Sequence, residues 1–325
     1  MGVPHETAHP VGGVDYPRTQ EEFTAWFAAE AACTSYIQRV RWPNGFRCPG
    51  CAGQKAWATK RGQLRCADCQ RQTSPIAGTI FEGTRKPLRT WFDAMWYVTN
   101  QKTGVSAIGL KAALGLGSYQ TAWAWLHKLR RAMVRPGRDR LAGSVEVDEA
   151  YVGAETDKGI EGRGTERKAI VVIAAEEDGS GIGRVRLRKV PDASARSLLG
   201  FIREAVSPGA TVHTDGWPSY TGLEKKGYRH RVTKISHSEG VAHELMPRVH
   251  RVASLLKRWL LGTHQGAVSW KHLDYYLDEF TFRFNRRRAR ARGLLFYRLL
   301  QQALQVDPVP YKSLVMDAED ADHKI

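Results

Sequence analysis

The sequence predicts a multidomain protein with a small cysteine-bearing β module, then a helical region, then an α/β domain. Three observations support this prediction. Four cysteines form two Cys-x-x-Cys pairs between residues 48 and 69. Three helical patterns follow one another between residues 88 and 133. From residue 144 onward, short apolar strand-like runs alternate with helical patterns, which is typical of α/β domains.

Composition limits the possible partners. The 325 residues, 42% of them hydrophobic, are enough for two or three domains with their own cores. The formal net charge of +16 favours a polyanionic partner, nucleic acid before membrane, because the basic residues are spread through folded-looking sequence. A basic protein without such a partner is the alternative. The sequence contains neither a transmembrane-length apolar run nor a signal-peptide pattern at its N-terminus.

The patterns divide the chain into five predicted segments. Pro136 and Gly137 indicate a linker between the helical region and the α/β domain. The last segment is acidic, and we expect it to be disordered. In order, the segments are residues 1–42 (arm and helix), 43–82 (cysteine module), 88–134 (helical region), 144–305 (α/β domain) and 306–325 (tail).

The four cysteines have the spacing of a metal site. Each Cys-x-x-Cys turn presents two thiolates to one tetrahedral ion, so the sequence predicts a zinc ribbon with a structural Zn²⁺ held by Cys48, Cys51, Cys66 and Cys69. Two unrelated reduced pairs are the alternative, and a redox role is disfavoured because a dithiol needs only one pair. Basic residues flank the cysteines and are candidate contacts to a DNA backbone; they include Arg47, Lys60 and Arg61.

Two helical patterns joined by glycines favour a helix-turn-helix that binds DNA. Ser106 and Ser118 are the predicted N-caps, and residues 115–117 form the predicted turn. A plain helical hairpin is the alternative. The positions expected to pack inward are Ile108, Leu110, Leu114, Ala122, Leu126 and Leu129. The residues expected to face DNA are Tyr119, Gln120 and Lys128.

Two aspartates each lie in or just after a strand-like run. Asp148 lies in an alternating run, where it shares a face with Glu146. Asp215 follows a short apolar run and precedes Gly216. Carboxylates on neighbouring strand ends can hold Mg²⁺, and two such ions can support phosphoryl transfer. Two surface aspartates with no shared role would give the same pattern.

A helical pattern at residues 248–261 adds two candidates. His250 and Lys257 are two helical turns apart and share one face. His250 would complete a metal cluster with the two aspartates, and Lys257 would contact a phosphate or base near the reacting bond. Glu244, which precedes the helix, is the competing third ligand.

Together with the cysteines, four stretches of sequence carry a resemblance to a known family. They are residues 147–153 (VDEAYVG), 213–217 (HTDGW), 254–264 (SLLKRWLLGTH) and 276–287 (YLDEFTFRFNRR). The chain resembles the zinc-ribbon insertion-sequence transposases with a DDE-type catalytic domain, and the resemblance covers most of its length. It implies a ribonuclease-H-like catalytic fold with a mixed central sheet, and metal-dependent cleavage and strand transfer at the ends of an insertion sequence.

On this resemblance, Asp148 and Asp215 are the first and second catalytic acids. The third position, commonly glutamate, falls on His250, and relatives with asparagine or histidine there exist. Lys257 matches the lysine that follows in the family. An imidazole suits Mn²⁺ and other transition ions better than Mg²⁺. The candidate catalytic cofactors are therefore Mg²⁺ and Mn²⁺.

The resemblance also implies partners and a location. We expect binding to terminal inverted repeats and target DNA, a homodimer or larger assembly on DNA, and a cytoplasmic protein associated with the bacterial nucleoid. A same-fold nuclease that cuts without joining and a non-catalytic DNA-binding protein are the alternatives. The densest basic run supplies further predicted phosphate contacts, namely Arg286, Arg287, Arg288, Arg290 and Arg292.

Overall fold

The computed structural model describes the chain in two compact units. The described residues are 9–60, 62–135, 137–153, 168–233, 245–266 and 268–316. The first unit combines the chain up to Arg135 with the chain from Ala289 onward, and the second comprises residues 136–288. The second unit is therefore inserted into the first in sequence. It ends at Arg288, whereas the sequence prediction extended the α/β domain to residue 305.

The first unit contains seven helices and a three-stranded antiparallel sheet in its described part. The helices are α1 (Gln20–Trp26), α2 (Glu30–Arg41), α3 (Leu88–Asn100), α4 (Ala107–Leu114), α5 (Tyr119–Ala132), α9 (Arg292–Ala303) and α10 (Tyr311–Met316). The strands are β1 (Ala56–Ala58), β2 (Leu64–Cys66) and β3 (Gln72–Thr73), which pair in that order.

An aromatic cluster forms the core of the first unit, and α9 supplies its central ring. The ring centroid of Phe296 lies 5.4 Å from that of Phe23 in α1 and 5.5 Å from that of Phe92 in α3. Trp91 and Trp125 stack with centroids 3.7 Å apart, which joins α3 to α5. Because Phe296 contacts rings from the N-terminal helices, α9 belongs to this core and not to the α/β domain.

The predicted caps of the helix pair α4 and α5 are confirmed. The Ser106 hydroxyl accepts from the N–H of Gly109, and the Ser118 hydroxyl accepts from the N–H of Thr121. Gly115 ends α4 in the left-handed region at φ 59°, a conformation that glycine adopts without a Cβ penalty. The prediction that Ile108 packs inward is wrong, because 70% of its surface is exposed.

The second unit is built on one mixed sheet. Strands β4, β5 and β6 are antiparallel neighbours, whereas β7 lies parallel to β4 and β8 lies parallel to β7. The strand order is β6-β5-β4-β7-β8, and the mixed sheet with helices on both faces confirms the predicted ribonuclease-H-like fold. The strands are β4 (Ser144–Val152), β5 (Ala169–Asp178), β6 (Gly181–Val190), β7 (Thr211–Thr214) and β8 (Arg229–Val232).

Helices cover both faces of this sheet. Helix α6 (Ala195–Ala205) packs on the face that carries Val145 and Val147. Helices α7 (Pro247–His264) and α8 (Leu273–Asn285) pack on the opposite face, which carries Ala150 and Val152. Because side chains alternate along β4, Glu146 and Asp148 point toward the α7 side.

The C-terminal segment is partly ordered. Helix α10 and the buried side chains of Val306 and Val309 lie within the stretch predicted as a disordered tail. The acidic residues 317–325 lie outside the described part of the chain. Among the described helices, none is both long and apolar enough to cross a membrane.

Candidate active site and metal sites

The four cysteines of the ribbon converge on one point. Their sulfur atoms all lie within 4.8 Å of one another. The Sγ atoms of Cys48 and Cys69 are 3.5 Å apart, and those of Cys51 and Cys66 are 3.6 Å apart. Tetrahedral zinc with bonds of about 2.3 Å holds its sulfurs about 3.8 Å apart. The four thiols are all free of disulfides, so their chemistry and spacing fit a single zinc ion.

Backbone donors favour the thiolate at this cluster. The N–H of Gly50 donates to Cys48 Sγ at 3.4 Å, and this contact, followed by one from the Cys51 N–H, lowers the pKa of Cys48 to about 6. The thiolate is the form that binds metal. Cys33, the fifth cysteine, is buried in α2 outside the cluster, and burial raises its pKa to about 12. The thiols of the cluster differ among themselves: against the Gly53 N–H, which acts in the opposite direction, hydrogen bonds with the Cys69 and Cys66 thiols raise the pKa of Cys51 to about 12. Position in the cluster, and not pKa, therefore distinguishes the candidate metal-binding thiols from Cys33.

The predicted DNA contacts of the first unit differ in exposure. Arg47 and Lys60 are exposed, and Arg61 lies outside the described residues. Tyr119 and Gln120 are exposed at the start of α5, whereas Lys128 is half-buried and burial lowers its pKa. Most of α5 after its first turn is buried in the core of the first unit. Only the N-terminal end of this helix is therefore open to a DNA groove.

The parallel pairing of β4 with β7 brings the two aspartates to equivalent positions. Glu146 and His213 are register partners across these strands. Asp148 lies two residues after Glu146, and Asp215 lies two residues after His213. Because the strands are parallel, the two aspartates are therefore side by side. Asp215 lies just after the end of β7, where its Oδ1 accepts from the N–H of Trp217 at 2.9 Å.

His250 reaches the same place from the first turn of α7. Its Nδ1 lies 3.8 Å from Asp148 Oδ2, too far for a hydrogen bond. Its Nε2 is buried and has no hydrogen-bond partner. The structure thus brings His250 close to Asp148, but the donor atoms of Asp148, Asp215 and His250 do not all lie within 4.8 Å of one another. Two carboxylates and an imidazole with an unpartnered nitrogen are ligand types that suit a divalent transition ion such as Mn²⁺. Lys257 is exposed on α7, and Glu244 lies outside the described residues.

The surroundings of Asp148 disfavour its ionised form. Burial raises the pKa of Asp148, and the nearby Asp215 carboxylate raises it further, while His250 acts in the opposite direction. Removing water and bringing like charges together both penalise the ionised form. A divalent cation bound between these groups would reverse that penalty, since it supplies the missing positive charge.

Glu149 is a buried carboxylate that the sequence analysis did not single out. Burial, followed by the charge of Asp148, raises its pKa to about 7. Its Oε1 and the hydroxyl of Tyr220 are both buried, and the interaction between these two side chains opposes the rise in the pKa of Glu149. Its position directly after Asp148 was the available signal, but strand alternation places its side chain on the opposite face of β4.

A second group of possible metal ligands lies deeper on the α7 face. Glu146, Glu177 and His213 have donor atoms within 4.8 Å of one another. The guanidinium of Arg248 already lies among them, with Nη1 2.9 Å from Glu146 Oε1 and 3.4 Å from Glu177 Oε1. The positive charge of the Arg248 side chain is therefore already next to these carboxylates. Strand alternation in the sequence places Glu146 on this face, but no local pattern indicates its role.

Much of the predicted basic run is used inside the protein. Arg287 donates to the carbonyls of Gly183 and Ile182 at the start of β6. Arg288 pairs with Asp178 at 2.8 Å. Arg286 lies over the Phe282 ring at 4.2 Å from its centroid. In the first unit, Arg290 and Arg292 line a polar cleft. These arginines thus have structural contacts in addition to any contact with phosphate.

Comparisons with known proteins agree with this architecture. Residues 140–285 match the ISXO2-like transposase domain, and residues 28–72 match the transposase zinc-ribbon domain. A Halobacterium salinarum protein described as an uncharacterized protein in transposable element ISH50 is 31% identical over 281 residues, which cover 79% of this chain and 91% of that protein. This chain belongs to the ISXO2-like transposase family.

Two further similarities are more limited. An uncharacterized transposase-like protein of Haemophilus influenzae is 28% identical to this ISXO2-like transposase over 117 residues, covering 35% of this chain and 92% of that protein. A chain in a simian T-cell lymphotropic virus intasome complex with PP2A regulatory subunit B56 gamma is similar over 51% of this chain and 63% of its own. Its sequence identity is 18%, and its TM-score of 0.27 is too low to support an argument.

From the cysteine cluster we predict that the protein contains bound zinc. We expect wild-type protein to carry about one zinc per chain and Cys69→Ser to lose it, because three thiolates no longer close the tetrahedral site. Elemental analysis of the purified proteins measures this directly. Cys33→Ala is the matched control, since Cys33 is a buried thiol outside the cluster. Equal zinc in Cys69→Ser and wild type would contradict the assignment.

Glu149 predicts a pH-dependent stability difference. Its folded pKa of about 7 lies above the ordinary value of 4.5, so its ionised form destabilises the folded state increasingly as pH rises between these values. Glu149→Gln should therefore match wild type near pH 4.5 and exceed it by about 2 kcal/mol near pH 8, a figure reduced for solvent screening. Urea unfolding without added divalent ions measures the difference.

The exposed carboxylate of Glu204 on α6 supplies the control for this experiment. Glu204→Gln should show no such pH trend, because its side chain is 63% exposed. A stability gain for Glu149→Gln that is the same at both pH values would mean that its charge is not the cause.

Proposed function

We propose that this protein is a transposase that binds the ends of an insertion sequence and catalyses metal-dependent cleavage and strand transfer. The observation that carries the proposal is that Asp215 follows the strand beside Asp148, while the unpartnered imidazole of His250 lies 3.8 Å from the Asp148 carboxylate. Membership of the ISXO2-like transposase family supports the same reaction class. Carboxylate and imidazole ligands suit divalent ions, which phosphoryl transfer on DNA commonly requires.

Each residue of the cluster has a proposed role. Asp148, Asp215 and His250 would hold the ions, with the imidazole binding through a ring nitrogen. Bound divalent ions supply positive charge that stabilises the transition state and makes water more acidic. Lys257, exposed two turns along α7, would bind a DNA phosphate next to the reacting one.

The proposed reaction has two steps. Water first hydrolyses a phosphodiester at the end of the element, which leaves a 3′-hydroxyl. That hydroxyl then attacks a phosphodiester of the target DNA and displaces the neighbouring nucleotide oxygen. Both steps are phosphoryl transfers and need no covalent enzyme intermediate, so positioning and charge stabilisation by the same cluster serve both.

The first unit would position the DNA. The ribbon presents exposed Arg47 and Lys60, whose charges contact phosphates without reading sequence. Tyr119 and Gln120, at the open end of α5, would contact base edges in the major groove. Because two element ends must meet, we propose a homodimer or larger assembly on DNA, acting in the cytoplasm on the nucleoid.

Loss of one carboxylate should abolish the chemistry. With labelled DNA from the flanks of the gene and a plasmid target, we expect Asp148→Asn to reduce both cleavage and joining to the level seen without divalent ions, because the cluster loses a ligand. DNA binding should persist in a mobility-shift assay. Asp274→Asn, which changes an exposed aspartate of α8, is the control and should retain both activities.

The possible products separate the alternatives. Cleavage without joined product in wild type would identify a nuclease that does not transfer strands. Binding without cleavage under either Mg²⁺ or Mn²⁺ would identify a DNA-binding protein without this chemistry.

His250 predicts a preference among metal ions. An imidazole favours Mn²⁺ more than a carboxylate does, so His250→Glu should lower the ratio of activity with Mn²⁺ to activity with Mg²⁺ several-fold. Parallel assays at matched concentrations of the two ions measure this ratio. His9→Glu, at an exposed position of the first unit, controls for added negative charge. An unchanged ratio in His250→Glu would show that His250 does not select the ion.

A further inference from the structure

The start of α7 is held by a carboxylate from another strand. Pro247 is the first residue of this helix and lacks an N–H, and Met246 provides no side-chain cap. The next two amides bind Glu146 of β4, since its Oε2 accepts from the N–H of Arg248 at 2.7 Å and of Val249 at 2.9 Å. Glu146 therefore does for α7 what an N-cap side chain does for an ordinary helix.

The other oxygen of this carboxylate fixes the side chain of Arg248. Nη1 of Arg248 donates to Glu146 Oε1 at 2.9 Å. The same guanidinium donates to the carbonyls of Gly179 and Gly181 at 2.9 and 3.0 Å, in the turn between β5 and β6. Glu146 is 1% exposed, so both of its oxygens are satisfied by α7 and none by water.

This arrangement lies next to the candidate active site on both elements. Asp148 is two residues after Glu146 on the same face of β4, and His250 is two residues after Arg248 in the first turn of α7. The distance between His250 Nδ1 and Asp148 Oδ2, 3.8 Å, therefore depends on where α7 begins relative to β4. We propose that Glu146 is a positioning residue that fixes His250 against Asp148 by capping α7 and binding Arg248.

The alternative interpretation of this cluster is a second metal site. Glu146, Glu177 and His213 could offer three donor atoms to an ion. However, the Arg248 guanidinium lies within hydrogen-bond reach of both glutamates, and a divalent ion beside it would meet repulsion in a buried setting. Glu146 also accepts two backbone amides, which a metal ion would have to displace.

The proposal rests on the proposed function where it takes His250 as a metal ligand, so its test uses two readouts. The first is binding of Mn²⁺ to the full-length, zinc-loaded protein, followed by the electron paramagnetic resonance of free Mn²⁺. Groups that orient metal ligands typically affect metal affinity about 10–100-fold. We expect Glu146→Gln to weaken Mn²⁺ binding by about tenfold or more on that basis.

The second readout needs no metal ion. Hydrogen exchange of the peptide that covers the first two turns of α7 should accelerate in Glu146→Gln, because glutamine is uncharged and offers one acceptor oxygen where glutamate offers two. That oxygen cannot serve both the amides of Arg248 and Val249 and the Arg248 guanidinium. The last turns of α7, around Leu260, should exchange as in wild type. Unchanged exchange at the start of the helix would overturn the proposal, whatever the protein does to DNA.

Glu176→Gln is the matched control. Glu176 also accepts backbone amides, from Ala142 and Arg184, and pairs with the Arg184 side chain at 2.9 Å, and these partners lie outside α7. We expect this variant to bind Mn²⁺ as wild type does. Weakening of the same size in both variants would mean that any lost buried ion pair has this effect, and the positioning role would be rejected.

A double-mutant cycle tests whether Glu146 acts through His250. In a His250→Ala background, Glu146→Gln should cause little further loss of Mn²⁺ affinity, because the ligand that it positions is gone. Additive losses would show that Glu146 affects the metal by another route. If Glu146→Gln does not fold, Arg248→Met replaces it in the cycle, since it keeps the amide caps and removes only the guanidinium.

The two readouts also separate the proposal from the proposed function. Wild-type protein that binds no Mn²⁺ would refute the metal cluster, while hydrogen exchange would still decide whether Glu146 holds the start of α7. Wild-type protein that binds Mn²⁺ but leaves DNA intact would refute the proposed reaction and leave the positioning role standing.

Discussion

The parallel pairing of β4 with β7 brings carboxylates from two distant parts of the chain to one edge of a sheet. Asp148 and Asp215 occupy equivalent places across this pair, and so do Glu146 and His213 one step earlier. The sheet therefore carries two layers of polar groups on neighbouring strands. The outer layer faces the candidate active site, and the inner layer is buried beneath α7.

The two layers differ in how the negative charge of their carboxylates is balanced. In the inner layer, Arg248 neutralises Glu146 with a cation that the chain itself provides. In the outer layer, burial is the main cause that raises the pKa of Asp148, and the neighbouring Asp215 carboxylate adds to it. The chain provides a positive charge to the carboxylate of the inner layer. In the outer layer, a cation bound from solution would supply that positive charge.

The sequence predicted the regular elements of the fold well, because these depend on short-range patterns. The cysteine pairs, the serine caps of α4 and α5, and the placement of Asp148 on β4 and of Asp215 just after β7 follow from spacing and strand alternation. Features that depend on long-range packing were not visible. Nothing local in residues 292–303 shows that Phe296 packs on Phe23, and Ile108 has a helical spacing that predicts burial although it is exposed.

The same limit explains what was missed near the site. Glu146 appeared only as a residue on the face of Asp148, because its partners lie about a hundred residues away in α7. Glu149 follows Asp148 directly, but its elevated pKa comes from burial that a sequence does not reveal. The boundary of the α/β domain depends on long-range contacts in the same way. In the sequence, α9 directly follows the helices of that domain, and only the contacts of Phe296 with Phe23 and Phe92 assign it to the first unit.

The discontinuous first unit has a consequence for the order in which the protein matures. During synthesis the chain emerges from its N-terminus, and compact units generally fold as they appear. Residues 136–288 can close their own sheet and helices as soon as α8 has been made. The aromatic core of the first unit must wait for Phe296, which follows the whole inserted unit. A nascent chain would thus complete the α/β fold of its second unit before the core that supports the open end of α5.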